Sequence, residues 1–224
     1  MTRGHLDSVV ATTRGDDGTT GLLYGGDRIS KDDPRAEAYG TIDEAVAALG
    51  LARAQLGLRE RLGVLSAGFG ELGPLVLRLQ RELFVVGAEL ATNPAAWDRL
   101  EDGRTRVSAA MVADLERVLV ELEARMEMPR EFVVPGETPT SAAFELARTV
   151  VRRAERRAVT LAAAGLVPGR HLVPYLNRLA DLLWILARTA EAAEARPATP
   201  ATNPETKRAR PRPSVSHRTE GSTR

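Results

Sequence analysis

The chain has 224 residues, 43% of them hydrophobic, with 31 Lys/Arg against 30 Asp/Glu and a formal net charge of +1. That length buries one good core and is short for two, and the lack of any cysteine excludes a disulfide framework, a thiolate zinc site and a thiol nucleophile. The even balance hides a division, because residues 196–224 carry seven Lys/Arg against two Asp/Glu and no aromatic residue, which leaves 24 basic and 28 acidic residues, net −4, in the rest.

We therefore expect one folded domain over residues 1–195 and a disordered basic tail over residues 196–224. An acidic domain argues against a nucleic-acid footprint. No apolar run is long enough for a membrane span or a signal core, so the expectation is a cytoplasmic protein with no membrane partner.

The first notable stretch, "ATTRGDDGTTGLLYGGDR" at 11–28, crowds five glycines and four threonines ahead of an otherwise helix-forming chain. Backbone N–H groups of so permissive a loop can wrap phosphate oxygens; the alternative is a plain N-terminal turn. It is not a Walker loop, since the GK[ST] ending is missing and no strand precedes it. Beyond Lys31, Ala, Leu, Glu and Arg dominate, so helices are expected and strands are not. A first helix starts at Asp33-Pro34, an N-cap followed by proline at the first helical position, and runs to about Leu56. A second follows Gly73-Pro74 and ends near Thr92-Asn93-Pro94, with the glycines at 63, 68, 70 and 73 making its upstream part a weak helix or loop. A third spans roughly Ser108 to Met126. Thr138-Pro139 opens the fourth, which continues to about Ala164, and the fifth runs from Pro174 to about Ala195. The fold class is all-α, a five-helix antiparallel bundle with an ordered N-terminal loop and a disordered C-terminal tail.

Two helices carry unusual patterns. In "ARTVVRRAERR", Arg148, Arg152 and Arg156 recur every four residues and stack on one face, beside Arg153 and Arg157 and against only Glu155. Like charges at that spacing cost a helix roughly 0.2–0.5 kcal/mol per pair. The face is either solvated, with Glu155 as internal counterion, or a polyphosphate or carboxylate site, for which arginine forks are suited. In "YLNRLADLLWILAR", Leu176, Leu179, Leu183 and Leu186 form one stripe that Leu182 and Ile185 widen, while Trp184 occupies another side. This is a central bundle helix or one that partly faces a second subunit. Asn177 and Asp181 lie one turn apart within it, and either bond inside the bundle or reach a ligand at its end.

The histidines are only His5, His171 and His217. No Ser-His-Asp set is suggested, and no Glu-x-x-His pair supports a di-iron bundle, so no protein metal site is expected. A nucleophile would come from a bound substrate, with the protein acting by positioning and electrostatics.

"TTRGDDGTTG", "SKDDPRAEAYGTIDE", "FVVPGETPTSAAFELARTVVRRAER" and "YLNRLADLLWILAR" together resemble the successive signatures of the ATP:cob(I)alamin (corrinoid) adenosyltransferases of the propanediol-utilisation type, in family order across about residues 11–190. The resemblance implies a five-helix bundle assembling as a homotrimer, with ATP and the corrinoid at each subunit interface. It implies transfer of the 5′-deoxyadenosyl group of ATP to the cobalt of cob(I)alamin, giving adenosylcobalamin and triphosphate, with cob(I)alamin as the nucleophile. Thr12, Thr13, Arg14, Gly15, Thr20 and Gly21 match the family's phosphate-wrapping segment and Lys31 its phosphate-contacting lysine. Arg152, Arg153, Glu155 and Arg156 lie in the matching "RRAER", and Asn177 matches the nucleotide-contacting asparagine. The resemblance makes Arg152 the group that stabilises departing triphosphate with Mg²⁺, and Asp43 and Arg148 a pair joining adjacent subunits. Phe132 matches the aromatic that excludes cobalamin's lower axial base, so that the corrinoid binds base-off.

The chain departs from the family pattern in three places: Thr13-Arg14-Gly15 stands for "TRTGD", Asp43-Glu44-Ala45-Val46-Ala47 for "DELNS", and Pro135-Gly136-Glu137 for "PGG". Glu137 puts a bulky charge where a glycine is usual. A reductase and an adenosylcobalamin-dependent mutase are the further partners implied. The other readings are a non-catalytic corrinoid-binding or delivery module of the same fold, and a purely structural bundle, which leaves the arginine face and the loop unexplained.

Overall fold

The structure is a computed structural model that describes residues 10–63, 71–195 and 199–201. Five helices carry it: α1 (Pro34–Arg61), α2 (Leu72–Ala91), α3 (Ala109–Glu123), α4 (Pro139–Ala163) and α5 (Leu172–Ala193). Local chemistry sets most of their starts. Asp33 accepts the Arg35 N–H at 2.8 Å with Pro34 at the first helical position. Ser108 accepts from Met111 N at 3.3 Å. At α4, Thr138 Oγ1 accepts the Ser141 N–H at 3.0 Å while Ser141 Oγ accepts the Thr138 N–H at 3.2 Å, a reciprocal box that satisfies two orphan donors.

Two helix ends move from their expected places. α1 continues past Leu56 to Arg61, through Gly57, and α3 stops at Glu123 rather than Met126. α5 begins two residues before Pro174, which is tolerated because a proline in the first turn lacks only an N–H that has no intrahelical acceptor. The segment between α2 and α3 holds a 3-10 turn, Pro94–Arg99, capped by Asn93, whose side chain accepts from Ala95 N at 3.0 Å.

Strands were not expected, yet four two-residue strands occur among the described residues. β1 (Thr19–Thr20) pairs antiparallel with β2 (Ile29–Ser30) inside the N-terminal loop, and β3 (Val133–Val134) pairs with β4 (Thr199–Pro200). The second ladder also corrects the beginning of the tail expected to be disordered beyond Arg196. Thr199–Pro200 are a strand, and residues 202–224 lie outside the described residues, as do Gly68 and Gly70.

In the bundle, α1 packs against α2 and α4, α4 against α5, and α5 against α3. The stripe residues Leu176, Leu179, Leu182, Leu183, Ile185 and Leu186 are all buried, as are Leu172, Tyr175, Ala187 and Ala190. α5 is thus the central helix, enclosed within a single chain. None of the helices among the described residues is long and apolar enough to cross a membrane.

Candidate functional site

The N-terminal loop is laced by its own polar groups. Asp17 Oδ1 accepts the Thr19 N–H at 2.9 Å and the Thr19 hydroxyl at 2.8 Å, and these bonds hold its carboxyl below the usual range. Arg28 donates from Nε to Thr19 Oγ1 at 2.6 Å and from Nη2 to the carbonyls of Arg14 and Thr19, both at 2.8 Å. Lys31 closes the loop twice, through its N–H to Gly18 O at 2.9 Å and its Nζ to Gly15 O at 2.7 Å. A Cβ on Gly15 would lie 2.8 Å from that Nζ, so any larger residue there displaces the lysine tip from its seat on the turn. Arg28 is a functional candidate that the sequence reading missed; its charge three residues before Lys31, in a loop poor in other cations, was the available signal.

The loop is also tied to the end of α2. Leu23 N donates to Ala91 O at 2.9 Å and Asn93 N to Leu23 O at 3.2 Å, while Asn93 Nδ2 donates to Gly25 O at 2.7 Å. Arg99 stacks over the Tyr24 ring at 4.1 Å.

On α4 the arginine row divides into three fates. Arg157 pairs with Glu37 at 3.1 Å and Arg153 with Glu44, both carboxylates on α1. Arg148 turns inward to Glu145, with Nε 2.6 Å from Oε2. Arg152 and Arg156 pair with no carboxylate among the described residues, and Arg156 Nη1 bonds only the Arg152 carbonyl at 3.0 Å. Both are exposed. Glu155 is not their counterion, because its Oε1 accepts from Asn177 Nδ2 at 3.0 Å. Asn177 in turn accepts from Arg178 Nη1 at 2.8 Å, and Arg178 Nε reaches Glu116 at 3.0 Å. Asn177 therefore bonds within the bundle, stitching α4, α5 and α3, while Asp181 is exposed.

These contacts gather one end of the molecule. Lys31 precedes α1, Glu37 in the first turn of α1 holds Arg157, and Glu155 holds Asn177 near the start of α5. The two uncommitted guanidiniums, Arg152 and Arg156, lie on the stretch of α4 that Arg157 and Arg153 fasten to the first turns of α1. It is an arrangement of cations and N–H donors suited to a polyphosphate.

Phe132 and its loop lie elsewhere. They precede α4, whose first residue is separated from Arg157 by about 27 Å of helix axis. The ring is 88% exposed, which removes ordinary packing within the chain as its role. Asp43 is exposed on α1 and does not meet Arg148 inside the chain, where Arg148 is taken by Glu145.

Behind Arg148 stands a buried ionic cluster that the sequence reading also missed. Arg188 on α5, with its side chain 3% exposed, lies 3.3 Å from Glu145 Oε1 and 2.8 Å from Glu191 Oε1. Its guanidinium also sits 5.4 Å from the Trp184 ring centre. Burial raises the Glu191 carboxyl above the ordinary range against the pull of Arg188. The signal was a charged residue in phase with the buried leucines of "LLWILAR". A groove of about 760 Å³, lined in part by Leu72, Leu75, Val118, Leu122 and Met126, opens between α2, α3 and α5 and holds none of the expected site residues.

Comparison with known proteins bears on the family and the fold. The family model described as cobalamin adenosyltransferase matches residues 10–190. A corrinoid adenosyltransferase from Citrobacter freundii is 37% identical over 188 residues, 81% of this chain and 94% of that protein. The corrinoid adenosyltransferase PduO of the same organism is also 37% identical, over 186 residues, and the chain spans half of its length. Among solved structures, a variant PduO-type ATP:corrinoid adenosyltransferase from Lactobacillus reuteri complexed with cobalamin and ATP aligns over 87% of this chain and 99% of that one, with 27% identity and a TM-score of 0.72. A helical bundle with an enclosed central helix, a family model that matches most of the chain and a relative 37% identical over nearly its whole length place the chain in the cobalamin adenosyltransferase family.

Proposed function

We propose that the chain transfers the 5′-deoxyadenosyl group of ATP to the cobalt of cob(I)alamin. The Co–C5′ bond forms as the C5′–O bond breaks, and triphosphate leaves with the bonding pair. The observation that carries the assignment is that Arg152 and Arg156, on the stretch of α4 fastened to the start of α1, pair with no carboxylate among the described residues, while Lys31 closes the Gly-rich loop just before α1. Charge-assisted contacts from Arg152 strengthen as negative charge gathers on the departing triphosphate, which is the form of binding that lowers a barrier. Thr12, Thr13, Arg14, Gly15, Thr20 and Gly21 supply the wrapping segment, and Asn177, fixed by Glu155 and Arg178, orients the nucleoside. Among the described residues no three His, Asp or Glu side chains gather to hold a metal. Mg²⁺ accordingly enters with ATP, held by phosphate oxygens and water, the mode it favours.

The working form is a homotrimer in which one copy supplies the nucleotide end and a neighbour supplies Phe132. Support comes from the separation of these two groups within one chain and from the exposure of Phe132. Asp43 of one copy meets Arg148 of the next beside the site, and Phe132 excludes the lower axial base so that the corrinoid is held base-off. A one-electron reductase supplies cob(I)alamin, a mutase that uses adenosylcobalamin receives the product, and the setting is the cytoplasm.

Mixing the protein with MgATP and chemically reduced cobalamin tests the reaction directly. The absorption of cob(I)alamin should give way to that of the alkylated product, with one triphosphate released per cobalamin. Persistent cob(I)alamin alongside tight corrinoid binding would favour a delivery module instead. Sedimentation of the unmodified chain as a monomer would refute the shared site.

A further inference from the structure

The loop that bears Phe132 is fastened by a segment outside the part of the chain that the family model covers. That match ends at residue 190, and β4 follows at Thr199–Pro200, paired in antiparallel register with Val133 and Val134. Ala201 N donates to the Phe132 carbonyl at 2.6 Å, and the Thr199 hydroxyl donates to the Glu137 carboxylate. Gly136, at φ +125°, turns the chain between Val134 and Glu137 so that the carboxylate reaches Thr199 on β4, the strand paired with the one just left. Glu137 adjoins Thr138, whose capping box locks it to the start of α4. The Phe132 backbone is thus connected to the bundle along the loop and, through Thr199, across it.

A ladder of two residues is marginal by itself. A charge-assisted bond at its end decides whether it stays closed. Glu137 stands where a glycine is usual in the resemblance, and its partner lies beyond the span the family model matches, so the charge and the strap act as one device.

We propose that Glu137 and Thr199–Ala201 are positioning residues for Phe132, a latch that orders the aromatic before the corrinoid arrives. The inference rests on the placement of Phe132 beside cobalt given above. Ordering the loop in advance removes part of the conformational cost of binding. The latch therefore acts on the corrinoid and leaves ATP binding alone.

The test uses the full chain, Thr199→Val, Glu137→Gln, Glu137→Gly and a chain ended after Ala198. Amide hydrogen exchange without ligands reports the latch itself: Phe132–Val134 should lose protection in the shortened chain and in Thr199→Val. Titration with cob(II)alamin at saturating ATP should show corrinoid binding weakened about tenfold in Thr199→Val and Glu137→Gly, the value of one charge-assisted hydrogen bond. The four-coordinate share of bound cob(II)alamin should fall with it. Glu137→Gln, which keeps an acceptor oxygen but loses the charge, should fall between the full chain and Glu137→Gly in both, and ATP affinity should be unchanged throughout. Unaltered exchange, or equal corrinoid affinity and coordination in the shortened chain, would overturn the latch. Failure of the full chain to adenosylate cob(I)alamin would instead count against the parent reaction, so the two outcomes are separable.

Discussion

Replacing Arg188 by methionine removes the cation at the centre of the Glu145, Glu191 and Arg148 cluster while keeping a long apolar stem. Glu145 retains Arg148 at 2.6 Å, but Glu191, with its side chain 2% exposed, is left without a cation. Breaking a buried pair by deleting one partner costs about 3–5 kcal/mol, a large part of the roughly 5–15 kcal/mol that holds a domain folded. The pH dependence gives the sharper test. Burial already raises the Glu191 carboxyl above its ordinary range, so the native state holds that proton more tightly than the unfolded chain. Its contribution to stability is present below the unfolded pKa and is lost as pH rises through the higher folded one. Without Arg188 the folded value climbs further and the loss grows. The Arg188→Met penalty should therefore be large at neutral pH and small under mild acid, where Glu191 is protonated and needs no counterion. Urea denaturation at fixed protein concentration measures it. The double variant Arg188→Met, Glu191→Leu should be more stable at neutral pH than Arg188→Met alone. Equal penalties at both pH values, or a double-variant loss equal to the sum of the single losses, would refute the account.

Arg152→Ala should lose most turnover at saturating ATP while the assembly persists by sedimentation; unchanged turnover would remove Arg152 from the triphosphate. Substituting Asp43 or Arg148 alone should impair activity, and a charge-swapped pair should recover part of it. Additivity in that cycle would deny the contact between copies. Phe132→Ala should restore a five-coordinate spectrum to bound cob(II)alamin and slow the reductase-dependent reaction severely, with a milder defect when cob(I)alamin is supplied ready-made. Equal losses in the two assays, with the four-coordinate signal intact, would show that the ring does not control the axial ligand.

What could be read from the chain was what local chemistry decides. Asp33-Pro34, Ser108 and Thr138-Pro139 announce helix starts because a cap acts on the next few residues. The end of α1 was misplaced because Gly57 resembles a stop, yet the helix continues to Arg59, which meets Glu194 of α5 at 3.2 Å. A helical glycine costs about 1 kcal/mol against alanine, and packing from a distant helix overrides it. The β3 and β4 ladder was illegible for the same reason, since two residues carry no alternation and their partners are far away in sequence. Within the arginine row, spacing showed that cations would crowd. It could not show that Glu37 and Glu44, more than a hundred positions away, take Arg157 and Arg153 and leave Arg152 and Arg156. The Arg148–Glu145 pair lies within one helix and was open to a local reading, whereas the contact of Arg188 with Glu145 forms only when α4 and α5 pack.

The enclosure of α5 also has a meaning in time. The helix that α3 and α4 pack against is translated after α1 to α4, so those two emerge with a shared neighbour missing. The apolar faces of α3 and α4 turned toward α5 remain wettable until Leu172–Ala193 leaves the ribosome. At ordinary elongation rates the wait is seconds, long enough for a nascent chain to aggregate or to be held by a chaperone. The bundle must close late and cooperatively, and a substitution that slows docking of α5 will reduce yield in the cell before it shows in the melting of protein that has already folded.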